Sequence, residues 1–527
     1  MPASLLPRPH GGVRGADLSR GSVLFGGPFG RIFRALPAAD YGKDDAASLK
    51  ALTTLAAAML ANPDPTKNGP DAEESGIPAA FTYFGQFIDH DLTFDPASSL
   101  QKQNDPDALV DYRTPRFDLD NVYGRGPDDQ PYLYSDGLHF NLGRTLTGAT
   151  HNPHAQDLPR SSPAATTANP KPNKRAIIGD PRNDENVIIS QLQGLCLRFH
   201  NRMADKYGDF ERAQRAVRWH YQWVVLNDFL PTIVAPSVLT EVLPHLAAGT
   251  DVVSDPPKLR FYRAKNEAFM PLEFSAAAYR YGHSMVRPEY QLNDTLPGPH
   301  VIFAGNSTHP NLRGFHEFPS KWAIDWRFFI DLEQLDWGDA ANEADPRNNN
   351  RVQLAYKIDT SLVNPLGHLP RDIGFNPHAL GLRNLERGWR MRLPSGQAVA
   401  RAMGEVPLID AKIMIGKFTE DPGDQAAQKA ITDLDPAFAD NCPLWVYVLA
   451  EVIKKSVTVK TSQGDQIVTS FQLGPVGGRI VAETMVGLML ADSSSYLAQD
   501  PRWSPDADLV ESGKFGLREL IKAALAA

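Results

Sequence analysis

Gln86, Asp89, His90 and Asp91 stand together in the stretch FTYFGQFIDHDLTFDP, residues 81–96. A helix there puts Gln86 and His90 four residues apart on one face, with Asp89 one turn from Gln86 on the same side. Asp91 then points away. One short element thus presents an imidazole, an amide and a carboxylate to one space and a second carboxylate to another, so two sites can share it. An imidazole in such company can accept and return a proton. A surface helix can carry Asp-His-Asp without any function. Here Phe81, Tyr83, Phe84, Phe87, Ile88, Leu92 and Phe94 surround the polar cluster, and polar groups buried among apolar ones need partners.

A second segment, RTPRFDLDNVYG from Arg113 to Gly124, places Thr114, Arg116, Asp118 and Asp120 at every second position. An extended or looped chain turns the four to one side. Hydroxyl, carbonyl and two carboxylate oxygens there suit a hard cation, calcium better than zinc. Arg116 would give only its backbone carbonyl, its side chain pointing outward. An Asp-rich surface turn is the bland alternative. Further on, Arg182 and Glu185 lie three apart where a helix begins, a pattern that a salt-bridged helix start also explains. In FSAAAYRYGHSMVRPEY (274–290), Arg280 and His283 share a helix face. The small residues Ser275 to Ala278 leave room for a flat, bulky partner. A lone histidine in this setting is more often a core residue than a ligand.

Together these blocks resemble the animal-type haem peroxidases of the peroxidase-cyclooxygenase superfamily. The resemblance covers roughly residues 75–490, with five blocks in the family's order, and His200-Asn201-Arg202 keeps the context downstream of Arg182. It implies a mainly α fold, a single large helical domain over 46–527 with haem b between central helices and very little β, preceded by an arm over 1–45. It also implies roles. His90, Arg182 and Gln86 would be catalytic, His283 the iron ligand, Arg280 directed to the haem periphery, Asn384 the orienting partner of His283, and Arg387 a propionate partner. Asp89 and Glu185 would be the carboxylates able to esterify the haem. Asp91 would complete a calcium site with Thr114, Arg116, Asp118 and Asp120.

The implied activity is reduction of hydrogen peroxide and oxidation of small reductants (bromide, iodide, thiocyanate or phenols) through a ferryl intermediate. Two departures matter. Asn186 replaces the methionine that follows the ester glutamate in the family's mammalian granule enzymes, which weakens chloride oxidation as an expectation. Arg-Met-Arg around Arg390 replaces the Asp-His-Gly that generally follows the Asn384 block. The alternatives are a fatty-acid dioxygenase of the same superfamily and a silent adhesion or interaction protein on the same fold. The first needs a tyrosine three residues before the proximal histidine; Arg280 stands there, and Tyr279 and Tyr281 are expected to project elsewhere.

The elements that must position these residues are mostly helical. AASLKALTTLAAAMLAN (46–62), ending at Pro-Asp-Pro, the segment 176–209, a long helix over 211–234 ended near Pro231, SGQAVARAMG, PLWVYVLAEVIKKS and GGRIVAETMVGLMLADSS all read as helices. Few strands are convincing. Residues 145–174 read as a long surface loop, with His151 and His154 exposed in it rather than metal-bound. His220 and His245 read as structural. Gly474 to Gly478 lacks a Lys-Ser/Thr and a preceding strand, so it reads as a helix start rather than a phosphate loop.

Composition bounds the rest. The 527 residues are 42% hydrophobic and 22% charged, enough for a large core. A formal charge of -9 without a basic run argues against nucleic acid, and the longest apolar runs are too short to span a bilayer. The first thirty residues are rich in Gly, Arg and Pro and lack the apolar core of a secretory signal, so export by that route is not expected. Cys196 and Cys442 cannot form a disulfide framework, and Cys196 reads as a small buried apolar residue. Location, oligomeric state and the physiological reductant are not legible.

Overall fold

The computed structural model describes residues 29–61, 69–93, 113–264, 268–303, 311–371, 373–374 and 376–527. Alanine-rich propensity yields a first helix, α1 (Asp45–Met59), whose cap Asp44 accepts a hydrogen bond from the Ala47 N–H. It ends at Leu60; the Pro-Asp-Pro expected to stop it lies outside the described residues. So does most of the expected arm. Its described end pairs Phe29–Gly30 with Met270–Pro271, and the Glu273 carboxylate accepts from the Ile32 and Phe33 N–H groups.

The strand Glu74–Pro78, paired with Leu354–Tyr356, delivers the chain into α2 (Ala80–Leu92). Glu74 anchors this entry, because its buried carboxylate takes 2.7 Å bonds from both Arg287 and Arg351. The back of α2 is aromatic. Phe84 and Phe87 meet the Tyr221 ring at centroid distances of 5.9 and 6.1 Å, which seats α2 on α5 (Phe210–Val224). Full burial of Phe87 and Ile88 is worth about 1.5–3 kcal/mol each. This packing leaves the polar face of α2 free for the site.

The helix α3 (Asp120–Tyr123) follows a left-handed Leu119 at φ +56°. It is held by α4 (Val187–Tyr207): His200 Nδ1 lies 2.9 Å from the Tyr123 hydroxyl. Asn186 caps α4 by accepting from the Ile188 and Ile189 N–H groups, and Gly208 at φ +63° closes it. The helix expected over 211–234 is α5, a π-helical turn Val225–Phe229 and a last turn Leu230–Ile233 that contains Pro231.

Three expectations change. The 145–174 segment is irregular but not merely superficial: buried Asp157 bonds Arg160, whose guanidinium also donates to Asp184 at 2.8 Å, clasping the loop to the turn that carries Arg182. PLWVYVLAEVIKKS is helical only over Leu444–Ala450; the β-branched alternation beyond it makes an antiparallel hairpin, Ile453–Thr461 with Gly464–Gln472. A strand therefore precedes Gly474 after all, although the helix Pro475–Ala491 starts there without a Lys-Ser/Thr. Elsewhere the strand pairs are two to five residues long, so the fold is mainly α. Both cysteines are free. Among the described residues, no helix is long and apolar enough to cross a membrane.

Candidate functional site

The polar face of α2 and the 3-10 turn Ala278–His283 border one cavity of about 370 Å³, within the usual range for small-molecule and cofactor sites. Gln86, Asp89 and His90 line it from α2, Arg182 and Glu185 from the turn before α4, and Arg280 and His283 from the far side. Residues 193 positions apart thus share one space. In a 3-10 turn, positions i and i+3 eclipse, which keeps Arg280 and His283 together as expected. Ile302, Phe303, Leu366 and Leu369 make an apolar wing.

Around His90, Nδ1 lies 2.6 Å from Asn183 Oδ1, and Arg182 Nη2 donates to the His90 and Thr93 carbonyls at 3.1 and 2.6 Å. Burial, then the neighbouring Arg182 charge, brings the imidazole down to about 4, so it is a neutral proton acceptor at physiological pH. Gln86 Nε2 donates to Glu185 Oε1, and burial raises that carboxyl to about 7. Asp180 is fully buried. Against the cost of that burial, the guanidinium groups of Arg182 and Arg113 hold its carboxyl well below the usual range.

On the far side, burial and then Arg280 hold His283 down at about 3. Asn384 Nδ2 lies 2.7 Å from His283 Nδ1, and Asn384 Oδ1 accepts from Arg280 Nη1 at 3.2 Å. An imidazole bonded to a metal through Nε2 carries its proton on Nδ1, so such a bond requires a half-turn of the amide to bring Oδ1 to the ring. The residues fit a planar cofactor: two neutral imidazoles border the cavity with carboxylates and arginines at its edge, and a Cβ on Gly282 would meet nothing within 4 Å.

Three placements differ from expectation. Arg387 is not part of the cavity wall; Arg383, one turn earlier on the same helix, is. Ala276 and Ala277 face Asn384, Gly388 and Trp389 instead of the cavity, so their small size serves the close approach of the helix that carries Asn384. Tyr279 and Tyr281 do line the cavity, because the 3-10 turn rotates them relative to an α-helix. The Tyr279 hydroxyl is committed to the Gly85 carbonyl at 3.1 Å.

Behind α2, Asp91 meets Asp118 and Asp120, with one carboxylate oxygen of each within 4.8 Å of the others. Both Asp91 oxygens are buried and have no hydrogen-bond partner among the described residues, a costly arrangement unless a cation takes them. Burial and the two facing carboxylates push Asp91 well above the usual carboxylate range, and burial brings Asp120 to about 7. Thr114 Oγ1 donates to Asp118 Oδ2 at 2.6 Å, and the Thr114 carbonyl accepts from Arg116 N at 2.8 Å. Arg116 is partly exposed. The oxygen-only donor set fits a hard cation such as calcium.

Sequence reasoning missed Asn183, Asp180 and Arg113. Asp180 before Pro181 carried a readable cap signal; Asn183 and Arg113 carried none, since their partners come from distant segments.

Residues 99–317 match the family model described as animal haem peroxidase. Over 321 residues the chain is 24% identical to myeloperoxidase of Mus musculus, covering 46% of this chain and 42% of that protein. Over 242 residues it is 24% identical to thyroid peroxidase of Rattus norvegicus, covering 40% and 24%. These matches span well under half of the curated relatives. Peroxidase A from Dictyostelium discoideum shares the fold, with a TM-score of 0.54 and 17% identity over 92% of each chain. The likeness to the animal haem peroxidase family thus lies in residues 99–317, and the likeness to the solved structure is one of fold.

Proposed function

We propose that this chain is a haem peroxidase, holding haem b between His283 and His90, reducing hydrogen peroxide and oxidising bromide, iodide, thiocyanate or small phenols. The observation that carries the reading is the convergence of His90, Arg182 and His283 on one cavity. In this reading residues 46–527 form one catalytic domain. Haem, once bound, would supply a redox-active iron able to react with peroxide.

The chain's own residues supply the rest. His90 takes the first proton of peroxide at Nε2 and returns it to the leaving oxygen. Arg182, always charged, draws negative charge onto that oxygen. Gln86, tethered to Glu185, orders water or reductant. His283 is the iron ligand, oriented by Asn384. Arg280 and Arg383 are placed to pair with the cofactor's carboxylates, and Asp89 and Glu185 are the groups for covalent attachment. Calcium would be held by Asp91, Asp118 and Asp120, with Thr114 and the Arg116 carbonyl as further oxygen donors. Asn186, spent on capping α4, gives no sulfonium link, so chloride is not a favoured substrate.

The test is a haemin titration of the purified protein read at the Soret band, followed by peroxide-driven oxidation of iodide and a phenol. Haem uptake and turnover that vanish in His283→Ala support the reading; no Soret band at stoichiometric haemin sinks it. The apolar wing of the cavity favours a second reading, fatty-acid dioxygenation, against which Arg280 stands where that chemistry needs a tyrosine. Oxygen uptake with linoleate and without peroxide would decide for it.

A further inference from the structure

We propose that Asn183, backed by Gln193, is a positioning residue that fixes which nitrogen of His90 faces the cavity. The proposal rests on the peroxidase reading for its kinetic consequence but not for the placement itself. A neutral imidazole has one donor and one acceptor nitrogen, and only the acceptor can take a proton from a bound reactant. Which nitrogen accepts is decided by what holds the other.

His90 lines the cavity; Asn183 does not. Nδ1 therefore points back into the protein, 2.6 Å from Asn183 Oδ1, and Nε2 is the nitrogen left for the cavity. The other end of the Asn183 amide donates to Gln193 Oε1 at 2.8 Å. Both amides are fully buried, so water cannot scramble the pattern. The order runs from His90 Nδ1–H to the Asn183 carbonyl and from the Asn183 N–H to the Gln193 carbonyl. This leaves Nε2 as the acceptor. Asn183 itself is immobilised in the turn Pro181–Asp184, where its N–H donates to the Asp180 carbonyl at 3.1 Å, and where Arg160 pins the adjoining Asp184. Among the described residues Gln193 Nε2 has no hydrogen-bond partner, so turning that amide to donate when the group at 183 changes gives up no bond there.

Two variants separate placement from packing. Asn183→Ala removes the acceptor. Asn183→Asp keeps an oxygen of the same shape for Nδ1–H while Gln193 turns to donate to it. In protein with 15N-labelled histidine, two-bond 1H–15N correlations report the His90 tautomer, assigned by its loss in His90→Ala. Wild type and Asn183→Asp are expected to carry the proton on Nδ1, and Asn183→Ala to show a mixture. In the haem-loaded protein the second-order rate with hydrogen peroxide is expected to fall about tenfold or more in Asn183→Ala, part of the roughly 10²–10⁴-fold that a positioned proton acceptor contributes, and to survive in Asn183→Asp. A wild-type His90 protonated on Nε2, equal rates in wild type and Asn183→Ala, or an Asn183→Asp as slow as Asn183→Ala would each overturn the proposal. A wild type with the expected tautomer that does not react with peroxide overturns the peroxidase reading and leaves the placement of His90 standing.

Discussion

Asp180 grips Arg182 through both carboxylate oxygens, accepting from its backbone N–H and Nη2 at 2.8 Å each and from Nε at 3.2 Å. The same carboxylate takes Arg113 Nε and Nη2 at 3.1 and 2.6 Å, and Arg113 Nη1 lies 3.2 Å from Asp120. A continuous ionic chain thus runs from the carboxylate cluster behind α2 to the arginine at its front. The two sites on that helix are mechanically joined.

Replacing Asp180 by Asn takes the shared counter-charge from both guanidinium groups, and Arg113 keeps only Asp120 of the two carboxylates named. Breaking a buried pair costs about 3–5 kcal/mol; Arg182 is a quarter exposed, so the lower end is expected. Denaturant unfolding should show that loss, and the peroxide rate should fall with it. A variant as stable and as fast as wild type would remove Asp180 from this role.

The carboxylate cluster predicts how pH and calcium interact. Asp91 and Asp120 titrate above their unfolded values, so without a cation the fold binds their protons more tightly than the unfolded chain does. Stability from this source is present below about pH 4 and is lost as pH rises through about 7. Melting temperatures in chelator should therefore drop between pH 5 and 8 relative to those in excess calcium, and chelation should disorder the pocket around His90. Parallel curves with and without calcium, together with unchanged haem absorption, would count against a cation here.

At the entry to α2, Glu74→Gln strips the shared partner from buried Arg287 and Arg351. A destabilisation of about 3–5 kcal/mol is expected from the uncompensated charge. Calorimetry with a shift under a degree would show the trio to be dispensable.

For the haem-loaded protein, Asn384→Asp puts a carboxylate against His283 and makes the imidazole more electron-rich. The iron reduction potential should fall. Spectroelectrochemistry giving an unchanged or higher potential would detach Asn384 from control of the iron.

Much of this site could be read from local spacing. The i, i+4 relation of Gln86 and His90, the opposed direction of Asp91 and the capping signals before α4 are consequences of helix geometry. Partners contributed by remote segments were not readable. The choice of Arg383 over Arg387 at the cavity wall and the turning of Ala276 and Ala277 toward the helix Leu380–Arg390 follow from how that helix packs, and the exposure of Tyr279 and Tyr281 to the cavity follows from a 3-10 turn where an α-helix was expected. A change in winding from 3.6 to 3.0 residues per turn redirects side chains without leaving a mark in composition. The hairpin Ile453–Gln472 was missed because the apolar run before it is helical and masks the change of period.

By itself, then, the sequence determined the residue types, their local faces and the helical class, since those depend on neighbours a few positions apart. The tertiary structure decided that His90 and His283 border one cavity, that Asn183 stands behind one and Asn384 behind the other, and that Asp180 ties both faces of α2 together. The hydrogen bonds among them join residues 67 to 101 positions apart and the two histidines lie 193 apart, so only the packing of the whole chain brings these groups together.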